Sequence, residues 1–146
     1  FPFIDFGFID CADATEIRAD AGKSGIFYIA LAKCGLWKMI YNNDSDDFTV
    51  KKLTAEGEIV YRVGLGLGSE HGDYYKDPKA IYCNGVIEGE YGFFRSLDDG
   101  VTFERVNNDK QMFGEINSID GDCREFGLFY IATGSNGVKY GRPVKG

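Results

Sequence analysis

Apolar residues along this chain come in short runs, each closed off by glycine or polar positions. "IFYIA" (26–30), "LWKMI" (36–40) and "LFYIA" (128–132) are rich in β-branched and aromatic residues and are too short for helices. No stretch of helical length shows apolar residues returning every three to four positions between caps; "ATEIRADAG" (14–22) comes nearest, and it is short and ends in glycine. The runs recur on a longer scale. "GIFYIALAKCGLWK" from Gly25, "AIYCNGVIEGEYGFFRS" from Ala80 and "GLFYIATGSNGVKYG" from Gly127 each read as a β-hairpin. In each, an apolar pair and a tyrosine lead through a short link to glycine and a return strand. The tyrosines are Tyr28, Tyr82 and Tyr130, and the glycines Gly35, Gly92 and Gly137.

A period near fifty residues with about four strands per unit is the pattern of propeller blades. The expectation is therefore a single all-β domain over 1–146: a partial β-propeller of two to three four-stranded antiparallel blades, at about 14–60, 61–109 and 110–146. Closed propellers use about 4–8 blades. Three leave sheet faces and edges uncovered. Such a chain packs on the rest of a larger protein, associates with copies of itself, or collapses into a compact β-sandwich, the alternative fold.

Between the second return strand and the next apolar stretch lies "SLDDGVTF" (96–103). Two adjacent aspartates before glycine suit either acid–base chemistry or a tight turn. Neighbours in a hairpin point in different directions and do not flank one sugar bond from opposite faces, so the turn reading is preferred. Asp98 then accepts hydrogen bonds from the turn, Gly100 takes a backbone geometry that a side chain resists, and Phe103 enters the core. Ser96, Asp98, Gly100, Thr102 and Phe103 fit Ser-x-Asp-x-Gly-x-Thr-aromatic, which resembles the Asp-box (BNR repeat) of sialidase-like propellers. "MIYNNDSDDFTVKKL" (39–53) is a degenerate counterpart in the first repeat.

Composition narrows the function. With 44% apolar and 15% aromatic residues in 146, the chain can bury a core. Sixteen Lys and Arg against 23 Asp and Glu give a net charge of −7, with no basic cluster for a phosphate backbone, so no nucleic acid is expected. No apolar run approaches membrane-spanning length, so no membrane is expected either. The chain begins at Phe1 rather than Met, as expected of a processed or excised piece. Cys11, Cys34, Cys83 and Cys123 have no C-x-x-C spacing, and His71 is the lone histidine, so buried thiols or one or two disulfides are expected rather than a metal site. "VGLGLGSEHGD" (63–73) does not fit G-x-G-x-x-G and reads as a strand entering a loop, with no cofactor implied.

From about Ala14 to Gly141 the ordered motifs resemble the carboxyl-terminal propeller of glycoside hydrolase family 74, the xyloglucan-active endo-β-1,4-glucanases. The matching motifs are the Asp-box strand, Val106–Asp109, Gln111–Gly114, Gly121–Arg124 and the closing Gly137–Gly141. The resemblance implies two tandem seven-bladed propellers, an open glycan cleft between them, secretion, and inverting hydrolysis by two aspartates roughly 6.5–9.5 Å apart. Both of those aspartates belong to segments upstream of the one matched, so no catalytic residue is assigned and the chain is expected to be catalytically incomplete. Asp5 in "FIDFGFID" is a faint counterpart, too close to the end of the family pattern. The expected partner is a plant cell-wall polysaccharide, xyloglucan or another β-glucan. Sugar rings present C–H faces to aromatic platforms, so Tyr74 and Tyr75 in "HGDYYKDP", Phe113 in "KQMFGE" and Trp37 are the candidate glycan contacts. Trp37 shares the repeat position of Phe94, which also suits a core residue, and Asn108 and Asp109 suit a turn as well as a cleft.

Overall fold

A computed structural model describes Cys11 and residues 13–144. Asp5 lies outside the described residues, which contain eleven strands and no helix. Strands β1 (Glu16–Ala19), β2 (Ile26–Ala30), β3 (Leu36–Asn42) and β4 (Asp47–Lys52) form the first sheet. The second holds β5 (Ile59–Gly66), β6 (Ala80–Ile87), β7 (Glu90–Ser96) and β8 (Glu104–Arg105), and the third β9 (Ile116–Gly121), β10 (Phe129–Thr133) and β11 (Val138–Gly141). Each is an antiparallel meander in chain order.

The internal repeat survives as register. Tyr28 lies opposite Lys38, Tyr82 opposite Arg95, and Tyr130 opposite Tyr140. Side chains alternate across a strand, so β6 turns Ile81 and Cys83 to the first sheet and Ala80 and Tyr82 to the third. All four are buried. The first seam packs Tyr28, Ala30 and Leu36 against Val63, Ile81 and Phe94, with Phe103 at its margin. The second packs Tyr82 and Phe93 against Ile119, Phe129 and Ile131. In it the Tyr82 and Phe129 rings stack at 5.1 Å. The sheets are thus stacked as blades and not closed into a sandwich.

The inner strands β1, β5 and β9 lie side by side. Arg62 on β5 reaches both neighbours: its guanidinium donates to the Asn117 carbonyl at 2.8 Å and to the Thr15 carbonyl at 3.2 Å, and lies 3.5 Å from the Glu16 carboxylate. Burial pushes the Glu16 carboxyl upward, with Arg18 and Arg62 opposing it. The glycine-rich run is explained by this contact. A Cβ on Gly64 would lie 2.3 Å from the Ile119 carbonyl oxygen, and one on Gly121 would lie 2.5 Å from the Gly66 Cα. Hydrogen alone at these positions lets the backbones of β5 and β9 meet.

Among the described residues the third sheet has three strands where four were expected. After β11 the described residues run Arg142-Pro143-Val144 where the second blade has Leu97-Asp98-Asp99, the start of the turn that precedes β8. One disulfide joins Cys11 to Cys34; Cys83 is a buried thiol, pushed up to about 12 by burial, and Cys123 is exposed.

Candidate functional site

The Ser96–Phe103 turn is held from within. Asp98 Oδ1 accepts from the Thr102 N–H at 2.8 Å and from the Ser96 hydroxyl at 2.8 Å, and Oδ2 accepts from the Thr102 hydroxyl at 2.5 Å. These bonds, Thr102's first, hold the Asp98 carboxyl down at about 2. The Gly100 N–H donates to Ser96 Oγ. Asp99 has a different task. Its φ of 57° lies in the left-handed region, and this turns its carboxylate toward the first blade. There Oδ1 accepts from the Tyr28 hydroxyl at 2.6 Å and Oδ2 from the Lys38 ammonium at 2.5 Å. Burial first, then Asp99, pushes the Tyr28 phenol upward. The two aspartates therefore form a turn clamp and a bridge between blades. The bridge was missed by sequence reasoning; its signal was the cation that follows Tyr28 and Tyr82 across the hairpin.

The four candidate aromatics do not converge. Inner strands run the same way, so loops before them and loops after them leave at opposite ends of the sheets. Phe113 lies in the 106–115 loop at the amino ends. Its half-buried ring stacks on Phe93 at 6.3 Å and lines a cavity of about 370 Å³ with Asn107, Gln111, Lys139 and Tyr140. That loop is shaped by its own amides. Asn107 Oδ1 accepts from the Phe93 N–H at 2.8 Å, Gln111 Oε1 from the Asn108 N–H at 2.9 Å, and Asn108 Oδ1 from the Lys110 N–H at 2.9 Å. Asp109 pairs with Arg105 at 2.8 Å. An aromatic face beside amides and an ammonium is suited to C–H and hydroxyl groups together.

Tyr74 and Tyr75 lie at the carboxyl ends, in the loop between β5 and β6. Tyr74 is half-buried over the Lys79 ammonium, 4.8 Å from the ring centre, and Lys79 is in turn ion-paired with Asp20 at 2.9 Å, both side chains being almost wholly buried. Desolvation pushes the Tyr74 phenol upward, with Asp120 adding to it. Tyr75 is 60% exposed and meets Tyr74 edge-on at 5.3 Å. A Cβ on Gly22 would lie 1.7 Å from the Tyr75 carbonyl oxygen, so this loop is seated on the first blade. Trp37 is on the face of the first sheet turned away from the second, opposite Ile29, and its indole N–H donates to the Cys34 carbonyl at 2.8 Å. Among the described residues no cluster of three or more His, Cys, Asp or Glu could hold a metal ion.

Meander sheets stacked face to face along adjoining inner strands define blades of a β-propeller. Comparison with known proteins gives the kind: over most of its length the chain is a homologue of the xyloglucanases of glycoside hydrolase family 74. It is 36% identical over 130 residues to xyloglucanase Xgh74A of Acetivibrio thermocellus, covering 88% of this chain and 14% of that protein. It is 26% identical over 147 residues to a probable oligoxyloglucan-reducing end-specific xyloglucanase of Neosartorya fischeri, covering 94% and 18%. The crystal structure of the GH74 xyloglucanase from Xanthomonas campestris superposes with a TM-score of 0.73 at 30% identity, over 93% of this chain and 18% of that one. The Niastella koreensis GH74 enzyme gives 0.70 at 26% identity, over 86% and 17%. No family model matches. The chain spans less than a fifth of the length of each of these relatives.

Proposed function

We propose that the chain is a three-blade, carboxyl-terminal portion of a xyloglucan-active propeller that supplies glycan-binding surface and leaves hydrolysis to residues elsewhere in the ring. The observation that carries this reading is the homology to xyloglucanases across 88% of the chain, combined with outer sheet faces that match its buried seams. Tyr130 holds the repeat position of Tyr82 but is 40% exposed, and Tyr140 and Val138 beside it are more exposed still. On the opposite flank Trp37 holds the position of buried Phe94, next to Ile29 and the exposed Ile17. By the repeat, each flank fits another blade, and relatives several times longer contain the chain to form them. The Cys11–Cys34 disulfide favours an oxidising, extracellular setting.

Of the candidate contacts, Phe113 and Tyr75 offer rings at opposite ends, while Trp37 fits a seam and Tyr74 covers an ion pair. Affinity electrophoresis in xyloglucan tests the assignment. Retardation of the chain is expected, and Phe113→Ala is expected to weaken it at least fivefold with Tyr75→Ala acting separately. Retardation that neither substitution alters would remove both residues from the site. Reducing-sugar release is expected to be nil, and turnover by the purified chain would refute its catalytic incompleteness. Strong retardation without further blades would favour the second reading, an autonomous carbohydrate-binding module, for which the amide-lined Phe113 cavity is the supporting feature.

A further inference from the structure

The two seams present the same tyrosine in the same register, yet only one of the hydroxyls has an acceptor. In the first, Asp99 accepts from Tyr28 and from Lys38, the cross-strand neighbour of Tyr28. In the second, Tyr82 is 1% exposed and its hydroxyl finds no acceptor among the described residues, only the Arg95 guanidinium acting on its oxygen. Its cross-strand neighbour Arg95 turns its guanidinium to Glu104. A buried hydroxyl whose proton finds no acceptor is costly, so its environment calls for an explanation.

The explanation lies in the repeat. Asp99 follows Arg95 by four positions, and the residue four positions beyond Tyr140, the register equivalent of Arg95, is Val144. Among the described residues the third blade has no acid at the place that would meet Tyr82. In its place is a cavity of about 210 Å³, lined by Tyr82, Arg95, Glu104, Arg142 and Pro143 among others. Arg142 pairs outward with Glu125 at 3.0 Å and Arg95 with Glu104 at 2.7 Å. Each guanidinium has five N–H donors, so both keep donors to spare.

We propose that this cavity is a carboxylate-binding slot, the counterpart of the place that Asp99 fills between the first two blades, with the Tyr82 hydroxyl and the Arg95 and Arg142 guanidiniums as its donors. The carboxylate comes on a small acid, such as a uronic sugar, or on an Asp or Glu side chain of an adjoining polypeptide segment. The slot recognises the group common to both, by charge-assisted hydrogen bonds. It is independent of the xyloglucan reading, because xyloglucan binding is tested at other residues.

Thermal unfolding of the full chain, in chloride buffers of matched ionic strength, tests the slot. Tyr28→Phe is expected to lower Tm, whereas Tyr82→Phe, which removes a hydroxyl without an acceptor, leaves it unchanged or raises it. Near-saturating sodium acetate or glucuronate is expected to raise the Tm of the unsubstituted chain by about 2–4 °C and to leave Tyr82→Phe unmoved. Val144→Asp supplies the acid in cis and is expected to raise Tm and abolish the acetate effect. Stabilisation by Val144→Asp without any acetate or glucuronate effect assigns the slot to a polypeptide carboxylate; an effect of the small acids assigns it to a free ligand. The proposal is overturned if Tyr82→Phe destabilises as much as Tyr28→Phe. It is equally overturned if acetate, glucuronate and Val144→Asp all leave Tm unchanged.

Discussion

The first seam is fastened at its periphery and the second at its axis. Between the first two sheets, Asp99 reaches from an outer turn to Tyr28 and Lys38, while the inner strands β1 and β5 meet through side chains such as Thr15, Glu16 and Arg62. Between the second and third sheets, Gly64, Gly66 and Gly121 bring the inner backbones into contact, and the Leu67 N–H donates to the Asp122 carbonyl at 2.9 Å. The periphery there is open, with a cavity where an acid would stand. The same repeat therefore forms two different joints. Both pack apolar side chains; the first adds charged bridges, Asp99 to Tyr28 and Lys38 and Asp20 to Lys79, and the second adds contact between inner backbones.

Phe129→Ala should separate these mechanisms most strongly. It removes the ring stacked on Tyr82 and next to Phe93, and is expected to cost about 3–5 kcal/mol in denaturant unfolding. A loss below 1 kcal/mol would show that packing does not hold the second seam. Asp99→Ala should have a smaller effect, about 1–3 kcal/mol, because the carboxylate is part-exposed even though it leaves the Tyr28 hydroxyl and Lys38 without their acceptor. A double-mutant cycle with Tyr28→Phe is expected to recover most of that loss as coupling. Asp98→Asn is the local control and touches neither seam.

The Asp98 carboxyl is held at about 2, below its usual 3.8. Between those values the unfolded chain binds a proton that the native chain does not, so this stabilisation is present above about pH 4 and is lost as pH falls toward 2. Asp98→Asn is expected to flatten stability against pH in that window, and an unaltered acid limb would show that the turn bonds contribute nothing.

Much of the fold was legible because it is periodic. The tyrosine spacing located the hairpins, and Gly35 and Gly137 precede their return strands; Gly92 instead lies within β7, opposite Gly85, and the second turn is made by Glu88 and Gly89. "SLDDGVTF" was legible as a turn because every partner of Asp98 lies within four residues of it. Asp99 was not legible, since Tyr28 is 71 residues away and only stacking of the sheets brings them together. The candidate aromatics were picked out as loop residues, yet their placement at opposite ends could not be seen residue by residue. It follows from strand count: three strands, β6 to β8, separate the loop of Tyr74 from that of Phe113, and an odd number reverses the direction of exit. The glycine-rich stretch was legible as a strand entering a loop, but the reason for its glycines, contact with β9, is tertiary.

The Asp20–Lys79 pair has a consequence for how the blades come apart. Arrays of repeats often open one unit at a time, from the end inward. Here the ion pair is sealed under Tyr74, and the loop that carries Lys79 is pressed onto Gly22. To peel the first blade from the second would break this pair, lift the loop off Gly22 and open the apolar core of the first seam to water in one event, and that apolar exposure is costly. Amide exchange in β1–β2 and in β5–β6 should therefore proceed through one shared opening event, so that these blades fluctuate as a single cooperative unit.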